Sequence, residues 1–190
     1  MERSRGARVA AALVHYPVRD RVGDLRATSV TPLNIHDLAR SSATYGISPL
    51  YAVTPLLSQQ ALVRRILKHW MVGYGGVQNP SRRRSLEGLS LVSSVNDAAE
   101  DLFRRTGAYP RLVGTGARPR EGSVGYGELR ERIDREGGAW LILFGTGWGL
   151  SADLLDQCDA VLKPLSGPGE FNHLSVRAAA AIILDRLFGS

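Results

Sequence analysis

Short apolar runs and longer amphipathic ones alternate along the whole chain. Runs at 8–15, 49–53, 89–93, 111–115, 140–144 and 160–162 have the length of strands. Several are continuous rather than alternating, such as Trp-Leu-Ile-Leu-Phe at 140–144, as strands buried on both faces are. Between them, 32–45, 56–71, 95–106, 126–135, 151–157 and 172–188 repeat their apolar residues at helical spacing. Thr31 before Pro32 is a capping residue followed by the one residue type preorganised for a first helical position. The alternation predicts an α/β fold, a parallel sheet with helices on both faces. A chain of 190 residues with no internal repeat or low-complexity stretch reads as one domain spanning 1–190. Basic residues before an apolar run at 9–14 resemble a short leader, but the run reads better as a first buried strand.

Two stretches break the pattern. Residues 72–88 (VGYGGVQNPSRRRSLEG) read as a long loop with three consecutive arginines, and 116–125 (GARPREGSVG) as a second basic, glycine-containing loop. No apolar run approaches the roughly 20 residues of a membrane span. One cysteine, Cys158, excludes an internal disulfide and fits a reducing, cytoplasmic setting. The net charge is +6, and Lys68 and Lys163 are the only lysines. That balance favours an anionic partner, nucleic acid first.

In a parallel sheet, ligands bind beyond the carboxyl ends of the strands. Three segments there are rich in glycine: 114–118 (GTGAR), 145–150 (GTGWGL) and 163–173 (KPLSGPGEFNH). A phosphate-gripping GxxxxGK[ST] is absent, and no GxGxxG follows the first strand. The four histidines have no metal-binding spacing, so no metal is expected. Cys158 sits in a helical-looking run and reads as structural.

The stretches LILFGTGWGLS and AVLKPLSGPGEFNHLSVRAAAAIILDRL resemble the cofactor-binding region of the SPOUT superfamily of RNA methyltransferases. The remainder, including HYPVRDRVGDLRATSVTPLNIHDLAR, is similar to domains related to the tRNA guanine-N1 methyltransferases, so the resemblance covers nearly the whole chain. It implies a C-terminal deep trefoil knot, S-adenosylmethionine as cofactor, an RNA acceptor (tRNA or rRNA) and a homodimer in the cytoplasm. It places Thr115, Gly145, Gly147, Leu165, Gly167, Asn172, Leu174 and Ser175 around the cofactor. The residues agree: S-adenosylmethionine carries no phosphate and calls for backbone hydrogen bonds and apolar walls. The chain departs from the expected pattern at Gly116, where a serine would stand.

Asn172 suits a cap for the last helix or a tie ordering the loop before it. Asn34, Asp37 and Arg40 share one side of the first helix. Methyl transfer to a protonated acceptor needs a proton acceptor; Asp37 and His15 are candidates, and Arg118 is a candidate for catalysis or substrate phosphate. Arg82, Arg83 and Arg84 form a candidate RNA-backbone patch. The alternatives are an RNA-binding or partner-docking module that keeps the fold without turnover, and a nucleotide-binding α/β enzyme of another kind.

Overall fold

A computed structural model describes residues 7–169 and 171–190. Six parallel strands form the main sheet: β1 (Ala7–Val14), β4 (Leu50–Val53), β5 (Leu89–Val92), β6 (Arg111–Gly114), β7 (Gly138–Gly145) and β8 (Ala160–Val161). Their order is β5-β4-β1-β7-β6-β8, so the longest strands, β1 and β7, lie side by side at the centre. They pair in register from Ala7↔Gly138 to Val14↔Gly145. All six predicted strands are present, with ends shifted by a residue or two.

Alternate residues of these strands feed two cores. Val9, Ala11 and Leu13 join Trp140, Ile142 and Phe144 beneath helices α1 (Pro32–Thr44), α2 (Leu57–Met71), α6 (Tyr126–Glu136) and α8 (Val176–Phe188). Ala10, Ala12 and Val14 join Leu141 and Leu143 beneath α5 (Val95–Thr106) and α7 (Ala152–Asp156). The expectation of helices on both faces therefore holds. Alanine prefers helix to strand, yet three alanines occupy the middle of β1; burial on both faces overrides the propensity. Thr31 caps α1 as expected, accepting from the Asn34 N–H at 3.2 Å.

The structure corrects three local readings. Residues 72–88 are no open loop: they contain α3 (Tyr74–Gln78) and α4 (Pro80–Leu86). Asn79 caps α4 through the Arg82 N–H at 3.0 Å, and Leu86 anchors it in the core. Asn172 is not the cap of the last helix. That helix starts at Val176, and Ser175 caps it through the Ala178 N–H at 3.2 Å. Along α8, Ala180, Ile183, Leu184 and Leu187 are buried, while Ala178, Ala181 and Ile182 are half-buried. Finally, the turn after β1 carries an unpredicted hairpin, β2 (Val18–Arg19) against β3 (Leu25–Arg26).

Trp140 is the largest fully buried side chain; its indole N–H donates to the Gly137 carbonyl at 2.8 Å. Trp140→Ala is expected to cost about 3–5 kcal/mol of stability, read from urea unfolding.

Candidate functional site

Three segments meet at the carboxyl ends of the central strands. The 115–118 turn follows β6, the 145–150 turn follows β7, and residues 163–175 join β8 to α8. They enclose a cleft of about 1000 Å³. Thr115, Arg118, Gly145, Gly147, Leu165, Asn172, Leu174 and Ser175 all line it. Gly167 is on the same segment but is not part of the lining. Leu150, Leu155, Ala179 and Ile183 supply apolar walls.

The 145–150 turn is built by its glycines. Gly147 and Gly149 have φ of +59° and +98°, the left-handed region that favours glycine. A Cβ on Gly145 would lie 2.5 Å from the Leu150 nitrogen, so the chain can double back only over a residue without a side chain. Much of this turn's backbone is already engaged: Thr146 N–H donates to Val14, Trp148 N–H to Arg19 and Gly149 N–H to Thr146. Thr115 likewise spends its hydroxyl on the Leu143 carbonyl at 2.8 Å.

The segment after β8 is different. Residues 165–167 make no hydrogen bond among the described residues, although Leu165 is buried. Buried peptide groups without partners are costly. Ser166 and Gly167 are exposed and outside the lining, so within this stretch it is the Leu165 peptide that can offer its groups to a ligand in the cleft. Asn172 ties the segment down, its side-chain amide donating to the Ala117 carbonyl at 3.1 Å. That is the loop-ordering role open to it from the sequence.

Of the other candidates, Asn34 lines the cleft. Asp37 does not; its carboxylate accepts from Arg177 Nη1 at 2.9 Å, and Arg177 does line the cleft. The Asp37 carboxylate is committed to Arg177 and does not reach the cleft, so it is not placed to take a proton there. His15 is withdrawn altogether. It is fully buried, its Nδ1 is 3.0 Å from the Thr28 hydroxyl, and its Nε2 has no partner. Burial pushes its pKa down to about 4, so it is a neutral structural imidazole and not a base for the reaction.

The three arginines have separate surroundings. The Arg82 guanidinium stacks over Trp70, 5.1 Å from the ring centre, and Arg83 lies 3.9 Å from Glu87. Arg84 alone of the three has no ion pair or ring contact among the described residues. Arg19, Trp148, His173 and Arg177 also line the cleft. In the sequence none of these four belongs to a motif with a defined binding role, and His173 reads as a packing residue rather than a base. Trp148 could have been suspected, standing between two glycines beyond a buried strand. Among the described residues, no group of three or more His, Cys, Asp or Glu is arranged to hold a metal, and no helix is long and apolar enough to cross a membrane.

Residues 8–189 match the model of a family described as SAM-dependent RNA methyltransferase. The chain belongs to that family. Among its relatives, a tRNA (guanine-N(1)-)-methyltransferase of Nitratidesulfovibrio vulgaris is 45% identical over 184 residues, which are 97% of this chain and 43% of that protein. The chain thus spans less than half of that relative. An uncharacterized protein of Aquifex aeolicus is 41% identical over 95% of this chain and 88% of its own. In fold, the family member resembles TrmJ from Z. mobilis ZM4, with a TM-score of 0.66 at 19% identity over 97% of this chain and 70% of that one. It also resembles the SpoU methyltransferase AviRb from Streptomyces viridochromogenes in complex with AdoMet. That TM-score is 0.53 at 22% identity, over 97% of this chain and 58% of that one.

S-adenosylmethionine, on which the family is described as dependent, fits the residues present. The unpartnered peptide of Leu165 suits an adenine edge, and the leucine and isoleucine walls suit its faces. Gly145→Ala is expected to weaken S-adenosylmethionine binding by about tenfold or more, because the turn must open to relieve the contact with Leu150; calorimetric titration checks it. A second expectation concerns pH. Unfolded His15 titrates near 6.5 and folded His15 near 4, so protons favour the unfolded chain as pH falls between those values. Stability should drop by about 2 kcal/mol from pH 7 to pH 5 on this account, and His15→Gln should remove that part of the drop in urea unfolding.

Proposed function

We propose that this chain transfers a methyl group from S-adenosylmethionine to RNA, with tRNA or rRNA as acceptor. The observation that carries the reading is the convergence of three glycine-containing turns on one cleft lined by Leu165, whose backbone is unused within the chain. When bound, S-adenosylmethionine supplies a methyl group activated by its sulfonium. The chain's part is alignment, which is the larger share of catalysis in a displacement of this kind. Leu165, at the head of the 165–167 segment, would hold the adenine, and the 145–150 turn would support the rest of the cofactor from the facing wall. Thr115 and Arg118 stand where an acceptor strand enters, and Arg118 meets its phosphate. Asp37 acts through Arg177, holding that guanidinium over the cleft. Among the lining side chains, His173 is the one able to accept a proton from the acceptor. Arg82, Arg83 and Arg84 extend the RNA contact outside the cleft, with Arg84 free for a phosphate.

The segment from β8 to α8 passes through the 115–118 turn as a deep trefoil knot in this reading. The Asn172–Ala117 bond and the packing of α8 on α1 and α6 support it. A homodimer would cover the half-buried residues of α8 and the exposed Leu33 of α1. The enzyme would work in the cytoplasm, where its RNA is. A second reading, an RNA-binding module without turnover, draws on the engagement of Asp37 by Arg177.

Calorimetry should detect S-adenosylmethionine binding to cofactor-free protein, and labelled methyl groups should pass to total tRNA or rRNA. Absence of binding overturns the main reading; binding without transfer selects the second. His173→Ala should lower turnover by about 10²-fold or more while leaving cofactor affinity near that of wild type.

A further inference from the structure

The β2–β3 hairpin adds a second hollow beside the cleft. It is clamped to the 145–150 turn: Arg19 N–H donates to Gly149 at 2.9 Å, Trp148 N–H to Arg19 at 3.1 Å, and Arg19 Nε to the Leu150 carbonyl at 3.2 Å. The clamp sets the hairpin against the 115–118 turn. Arg19, Arg21, Arg118 and Trp148 wall a hollow of about 70 Å³, and Arg19, Arg118 and Trp148 also line the main cleft. The two spaces are therefore adjacent.

The hollow is positively charged. Asp20 borders it, but its carboxylate already accepts from Arg26 Nε at 2.9 Å and from the Val22 and Asp24 N–H groups at 3.0 Å each. Arg21 and Arg118 have no ion-pair partner among the described residues. Guanidiniums gathered around one space with their local carboxylate engaged elsewhere call for an anion from outside. The hollow's volume of about 70 Å³ is on the scale of a phosphate group rather than of a whole nucleotide. Trp148 lies at its edge with 49% of its surface exposed, and His173 meets the ring edge-on at 6.2 Å between centres. A steadied aromatic face beside arginines is how single-stranded RNA is gripped: phosphate in the basic pocket, base on the ring.

We propose that this hollow is a nucleotide subsite of the acceptor RNA, distinct from the cofactor position. Arg21 and Arg118 hold the phosphate, and Trp148 stacks the base of the nucleotide next to the one presented to the cleft. The subsite rests on the RNA methyltransferase reading for its occupant. It makes the hairpin a specificity element, because it positions a nucleotide that is not itself modified.

The test measures fluorescence anisotropy of a short fluorescein-labelled single-stranded RNA against salt, with S-adenosylmethionine titrated into the same proteins. Arg21→Ala should weaken RNA binding about tenfold and lower the salt slope by about 0.7, the loss of one phosphate contact. Trp148→Ala should weaken it by about 5- to 100-fold, and Trp148→Phe should recover most of that. Arg21 is exposed and unpaired, so its variant should keep wild-type cofactor affinity. Cofactor binding with RNA affinity unchanged in Arg21→Ala and Trp148→Ala overturns the subsite, as does a wild-type protein that binds cofactor but not RNA. Heparin bound with the same dependence on Trp148 overturns the stacking role. RNA effects as expected but no cofactor binding leave the subsite standing and overturn the methyltransferase reading instead.

Discussion

The pairing of β1 with β7 sets the geometry on which the rest of the molecule depends. Eight residue pairs lie in parallel register, ending at Val14↔Gly145. Because both strands stop at the same level, the chain leaving β1 and the chain leaving β7 emerge together. Thr146 seals that exit, its N–H donating to the Val14 carbonyl and its hydroxyl to the same oxygen at 2.9 Å. The hairpin after β1 and the glycine turn after β7 are thus neighbours by construction. Burial on both faces makes the register strict, since a slip of one residue would exchange the two cores.

From that exit the site divides its work by backbone and by side chain. Between the 145–150 turn and Leu165 the main cleft offers backbone and the hydrocarbon of Leu150, Leu155, Ala179 and Ile183, with positive-φ glycines where the chain must turn tightly. The adjoining hollow is walled by three arginines and one tryptophan, with Asp20, Val22 and Gly23 beside them. This division follows the chemistry of the two ligands proposed for it. S-adenosylmethionine has no phosphate and gains from directed hydrogen bonds in an apolar wall, whereas an RNA strand is an anion with stackable bases. Buried His15 lies behind the exit as a neutral wedge, its imidazole bound to Thr28, and takes no part in the chemistry.

Much of the architecture was legible in the sequence because the strands are buried on both faces. Such strands leave uninterrupted apolar runs, and 140–144 announces itself as one. The α1 start was equally plain, since Thr31-Pro32 carries both of its signals locally. The hairpin of β2 and β3 left no signal: two residues per strand are too few for an alternation to be seen. Helices α3 and α4 were hidden by glycines and an Asn-Pro that usually mark loops. Tertiary contacts rescue them, through Leu86 in the core and Arg82 on Trp70. The start of α8 was misplaced because Asn172 and Ser175 are both good caps, and only the pull of Ala117 on Asn172 chooses between them.

The sequence by itself determined the order of strands and helices, the family, and which turns gather at the carboxyl ends of the sheet. Those are properties of local pattern and of residue types along the chain. Tertiary structure alone decided which side chains share a space. It removed His15 from the surface, gave Asp37 to Arg177, and brought Arg19, Arg21, Arg118 and Trp148 together from three separate segments. The reason is one of distance. Charge pairing and stacking act over a few ångströms, and positions 19, 118 and 148 come that close only once β1, β6 and β7 are aligned in one sheet.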